Sequence, residues 1–203
     1  MGVSIHYRGR LDDIKKISQL RDELADIAAV MGWPYDSLDE DWSVPPDAKL
    51  DGGRITGNLS LKGISMKPHP DSESLSLYFD SGGNLHSPMG VVLMLEGKLK
   101  PEKNWISIKT QFAPLEIHVR VTGLLKYLKK KYISNLEVVD EGEYWETGNL
   151  ETLKERISSI NRAMDRLEAE FSRESSGNLE GLSADEIALR IERFFRNHKR
   201  SGD

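Results

Sequence analysis

The run from Trp105 to Trp145 constrains the fold most, because its hydrophobic period changes twice within one unbroken segment. Ile106, Ile108, Thr110 and Phe112 alternate with Trp105, Ser107, Lys109 and Gln111, and a period of two marks a strand with one apolar face. Pro114 suits the first turn of a helix, where a missing N–H is harmless. Ile117, Val121, Leu124, Leu125, Leu128 and Tyr132 then recur at spacings of three and four, which makes a single apolar stripe. Leu136 to Asp140 reads as a short strand. This order predicts a helix laid on the Ile106/Ile108 face of a sheet. Trp105, Ser107, Lys109 and Gln111 are then left on the opposite face.

The flanking segments extend the pattern. Val3, Ile5 and Tyr7 alternate with Ser4, His6 and Arg8, a first strand. Asp12 or Asp13 can cap a helix carrying Ile14, Ile17, Leu20, Leu24, Ile27 and Met31. Gly32, followed by Trp33 and Pro34, stops it. Trp33 to Asp51 reads as a long acidic loop with Trp33 and Trp42. These tryptophans either close a lid over a ligand or pin the connection to the core. Four strands are expected next, Ile55–Met66 with a bulge at Gly63, Leu75–Phe79, Val91–Leu95 and Trp105–Phe112, joined by Gly-, Pro- and Asn-rich turns. After the central helix, Leu150, Leu153, Ile157, Ile160, Met164, Leu167 and Phe171 repeat at heptad spacing over roughly 33 Å. A stripe this long suggests a homodimer through the C-terminal helices.

The expected class is α+β, an antiparallel-rich sheet of about five to six strands with helices mainly on one face. Residues 1–171 form one domain, 172–182 a flexible joint and 183–203 a last helix and tail, with Ser183 and Glu186 as a capping box. The 203 residues suffice for one good core. The absence of cysteine removes thiol nucleophiles and disulfides and favours the cytoplasm. No apolar run approaches the ~20 residues of a membrane span. The lysines at 129–131 suit a helix C-terminus, and the net charge of -5 argues against nucleic acid as a partner.

No nucleotide, nucleophile-elbow or zinc motif is present, the histidines are scattered, and neither a metal nor a cofactor is expected. Chemistry must therefore be assembled by the fold. If helices cover one sheet face, the other collects His6, Arg8, Ser74, Ser76, Tyr78, Trp105, Ser107, Lys109 and Gln111. Such a polar–aromatic face suits a small anionic ligand or a protein partner, although one face of an antiparallel sheet can simply be solvated. The alternative is an enzyme acting on a small anionic substrate, with His6, Arg8 and Lys109 in one cleft. His118 in the central helix, paired with Glu141 or Glu143, is a second acid–base candidate.

The runs SIHYRGR, HPDSE, KTQFA and DEGEYWETG resemble segments of a family of uncharacterised bacterial proteins. The resemblance implies a bacterial, cytosolic origin and assigns no site.

Overall fold

Strand β1 (Ser4–Arg8) buries Ile5 and Tyr7 and turns Ser4, His6 and Arg8 outward. The computed structural model describes residues 3–174, with side chains to residue 166. The last helix and most of the joint expected before it lie outside the described residues. Asp13 caps a short 3-10 turn by accepting from Lys15 N–H at 3.0 Å, and helix α1 (Ile17–Met31) follows, ending at Gly32 with φ 67°.

The expected acidic loop carries two strands, β2 (Tyr35–Asp39) and β3 (Lys49–Asp51), and β3 forms a hairpin with β4 (Arg54–Thr56). Both β2 and β3 are mostly exposed, so neither shows the half-buried alternation that betrays a strand in sequence. The expected Ile55–Met66 strand is split. Residues 57–61 separate β4 from β5 (Lys62–Met66), and Ser60 there adopts φ 55°. Nor is Gly63 a bulge: it pairs in unbroken register with Leu38 on one side and Tyr78 on the other.

β6 (Leu75–Phe79) leads through a tight turn into β7 (Leu85–His86). Val91–Leu95, expected as a strand, lies in helix α2 (Pro88–Leu95). A short apolar run does not distinguish the two states. The cap decides: Ser87 Oγ accepts from Gly90 N–H at 3.0 Å and Pro88 occupies the first turn. Next come β8 (Ile106–Lys109), α3 (Leu115–Lys131), β9 (Glu137–Asp140), the short α4 (Tyr144–Thr147) and α5 (Leu150–Glu174). The chain divides into one unit up to Arg156 and a second from Ile157, whose described part is helical.

The fold is α+β with antiparallel sheets. Among the described residues the strands are distributed over three sheets rather than one, in the orders β8-β1-β9, β2-β5-β6-β7 and β3-β4. Each α3 stripe residue, from Ile117 to Leu128, is buried, and Tyr132 with them. They share one core with Ile106 and Ile108, with the α1 residues Leu20 and Leu24, and with Ile64 and Leu77. Each such side chain contributes about 1.5–3 kcal/mol. Hydrogen bonds join the larger sheets at several places, among them Glu73 N–H to Lys109 O at 2.9 Å and Lys109 N–H to Glu73 Oε2 at 2.8 Å. The buried Tyr7 hydroxyl donates to Ser76 O at 2.7 Å and accepts from Ser76 N–H at 3.1 Å; burial raises this phenol far above its ordinary pKa. Beyond β1, Leu11 N–H donates to Gly83 O and Leu85 N–H to Gly9 O, with an isolated bridge between Arg10 and Asn84. This seam lays the β6–β7 turn against the Arg8–Leu11 segment. No helix among the described residues is long and apolar enough to cross a membrane.

Candidate active site

The single polar–aromatic face expected from sequence does not exist, because its members belong to two different sheets. His6, Arg8, Ser107 and Lys109 lie on the outer side of β8-β1-β9, whereas Ser76 and Tyr78 belong to β6. Tyr78 and Gln111 are buried, and Ser74 is exposed just before β6. Trp105 lies 4.5 Å from the Arg8 guanidinium and Phe112 lies 4.9 Å from the Lys109 ammonium, at opposite ends of β1, so no aromatic cluster forms there. Two of these side chains are met by carboxylates. Arg8 Nη2 donates to Glu137 at 2.7 Å, and His6 Nε2 lies 3.6 Å from Glu141. Nor do His6, Arg8 and Lys109 share one cleft. Lys109 pairs with Ser4, at the far end of β1 from Arg8, roughly 13 Å along the strand. Its ammonium lies over Phe112.

Trp33 is buried in the core, and Trp42 packs partly buried against it with Nε1–H donating to Phe79 O at 3.3 Å. Both tryptophans pin the chain. His118 does meet a carboxylate, but that of Asp140, at 3.0 Å, while its Nδ1 lies 2.8 Å from Thr110 Oγ1. The ring is fully buried. Glu141 turns instead to His6 and Glu143 to Arg156.

A cavity of about 650 Å³ lies where the β6–β7 turn meets the end of β1. Its chemistry begins with the sequence DSGGNLH. Asp80 Oδ1 accepts from Gly82 N–H at 2.9 Å and Asn84 N–H at 2.8 Å, which closes the turn. Asp80 Oδ2 is then 2.9 Å from His86 Nε2. Burial alone would raise this carboxyl, but hydrogen bonds from His86 and Asn84, with the attraction of the imidazole, outweigh it and hold Asp80 below the usual carboxylate range. On the other side, Asn104 Nδ2 donates to Leu85 O at 3.1 Å and to His86 Nδ1 at 2.8 Å. The Leu85 carbonyl fixes which way the Asn104 amide points. Nδ1 is thereby the acceptor, and Nε2 carries the proton directed at Asp80.

Arg8, Arg10, Asp80, His86, Asn104 and Glu137 all line this cavity. Asn104 is only 5 % exposed, and its Oδ1, fully buried on the Gly90 side, has no hydrogen-bond partner among the described residues. Ser60 also lines it, in the left-handed region a serine rarely adopts. The combination supplies a histidine with its tautomer set from both sides, two guanidinium groups and an apolar wall. These are the parts of a proton-transfer site for an anion.

Of the residues singled out from sequence, Arg8 alone lines the cavity. Asp80, His86, Asn104 and Arg10 were not singled out. The available signal was the turn itself: a DSGGN turn after an apolar strand folds Asp80 back towards the residues that follow it, His86 among them. Gly90 gives a check on the Asn104 contact. A Cβ there would sit 2.8 Å from Asn104 Oδ1 and 3.0 Å from Ser87 Oγ. Gly90→Ala is expected to change stability by no more than about 1 kcal/mol, because alanine favours a helix by about that amount. It should nevertheless shift the His86 imidazole 15N resonances towards a mixture of tautomers. Unchanged resonances would remove Asn104 from its positioning role.

Among the described residues no group of three or more histidine or acidic side chains is arranged to hold a metal. Comparison with protein-family models, with curated proteins and with solved structures returns no match.

Proposed function

We propose that this protein is an enzyme acting on a small anionic substrate in the cavity beside the β6–β7 turn. The observation that carries the reading is the Asp80–His86 pair opening on a space walled by two arginines. His86 exchanges the proton at Nδ1, where Asn104 gives way to the substrate. Asp80 keeps the ring oriented and stabilises the imidazolium that forms. A guanidinium holds the substrate's charge.

The test is a panel of small carboxylic and phosphoric acids and their esters, incubated with the protein in deuterium oxide and followed by proton NMR. Wild type should exchange a C–H or hydrolyse an ester in at least one member. His86→Gln should slow that turnover about 100-fold or more. Turnover of none, or turnover undiminished in the variant, would overturn the assignment.

A further inference from the structure

We infer that the occupant of this cavity is a monocarboxylate with an apolar chain; this rests on the enzyme reading of the same site and narrows its substrate class. Two cations and two carboxylates line the space. They are not equivalent. Arg8 is held by Glu137 at 2.7 Å and by the Glu102 carbonyl at 2.9 Å. Arg10 is exposed, donates Nε–H to Gly82 O at 2.7 Å, and has no carboxylate partner among the described residues. One guanidinium without a counter-charge matches one negative charge. A phosphate monoester would bring a second charge into a space already holding Asp80 and Glu137, where like charges repel.

The guanidinium geometry agrees. With Nε occupied by Gly82 O, the two terminal nitrogens of Arg10 remain as a parallel pair, which fits the two oxygens of a carboxylate. The rest of the wall is not polar. Leu59, Leu61, Val91, Met94 and Leu95 line it from the segment before β5 and from α2. Met94 is unbranched and adaptable, suited to chains of varied shape. Leu95 is 45 % exposed. A volume of about 650 Å³ accommodates considerably more than a two-carbon acid. A carboxylate on Arg10 with its chain against these residues places the carbons between head and tail beside His86, which lines the same space.

Calorimetric titration of the full chain with four probes tests this: hexanoate, acetate, hexanol and hexyl phosphate. Hexanoate should bind about 100-fold more tightly than acetate, from four added methylenes. It should bind about 10- to 100-fold more tightly than hexanol, from the charged pair, and more tightly than hexyl phosphate at a pH where the phosphate is dianionic. Arg10→Gln should remove the preference for hexanoate over hexanol and leave hexanol binding unchanged. Tighter binding of hexyl phosphate would overturn the single-charge inference and leave the anionic-substrate enzyme standing. Acetate binding as tightly as hexanoate would overturn the apolar chain alone. Hexanol matching hexanoate in wild type would overturn both readings, as would failure of all four to bind.

Discussion

Asp140→Ala is expected to destabilise the protein by about 3–5 kcal/mol, because three buried donors lose their acceptor at about 1–3 kcal/mol each. Asp140 is the hub of a sealed cluster. Its Oδ2 accepts from His118 Nε2–H at 3.0 Å and from Trp145 N–H at 2.9 Å, and its Oδ1 accepts from Gly142 N–H at 2.7 Å. Both side chains are fully buried. The substitution therefore leaves an imidazole and two backbone donors without acceptors and frees the turn that leads into α4. Urea unfolding of the full chain measures the effect, with Glu141→Ala as the comparison. Glu141 pairs with His6 at the surface, and its removal should cost about 0–1 kcal/mol. Equal losses in the two variants would mean that the buried cluster contributes nothing particular.

The same cluster sets an acid limit. Burial opposes ionisation of Asp140, but the hydrogen bond and charge of His118 and the two backbone N–H groups prevail, so its folded pKa lies below the ordinary carboxylate value. A depressed carboxylate contributes stability that is complete above its unfolded pKa of about 4 and disappears as pH falls through the folded value. Asp80 acts in the same direction. Stability should therefore fall steadily below about pH 4, and Asp140→Ala should show a shallower acid limb than wild type.

Gly63→Ala is expected to be at least as damaging, about 4 kcal/mol or more, and the measurement is soluble yield followed by thermal unfolding. A Cβ at Gly63 would lie 2.1 Å from Leu77 O and 3.0 Å from Tyr78 Cα, and φ is +140°. The obstacle is backbone, and β5 is paired on both sides, by β2 and β6, so neither partner can withdraw without breaking a ladder. Gly97→Ala separates clash from conformation. Gly97 also has a positive φ, of 69°, but nothing lies within 4 Å of an added Cβ. That variant should lose only about 1–2 kcal/mol, the cost of a left-handed alanine. A Gly63→Ala protein as stable as Gly97→Ala would show that the β5–β6 pairing yields easily.

What the sequence determined by itself was the set of elements whose own periodicity meets a core: β1, α1, β6, β8 and α3. In these, neighbouring residues carry the signal, because the spacing of buried positions follows directly from backbone geometry. Where both faces or neither face is buried, that signal vanishes. Val91–Leu95 is apolar throughout and became a helix because Ser87 and Pro88 start one, and the exposed β2 left no trace in the pattern. The candidate site was less legible still. His86 and Asn104 are 18 residues apart, His118 and Asp140 are 22 apart, and Arg10 meets Asn84 across an isolated bridge. Only the tertiary structure decided that the His118–Asp140 pair is sealed in the core and that the His86–Asp80 pair lines a cavity. That choice depends on how two separate sheets join at Tyr7 and at the Gly9–Leu11 seam. Such long-range contacts are selected by the packing of the whole core, and no local spacing encodes them.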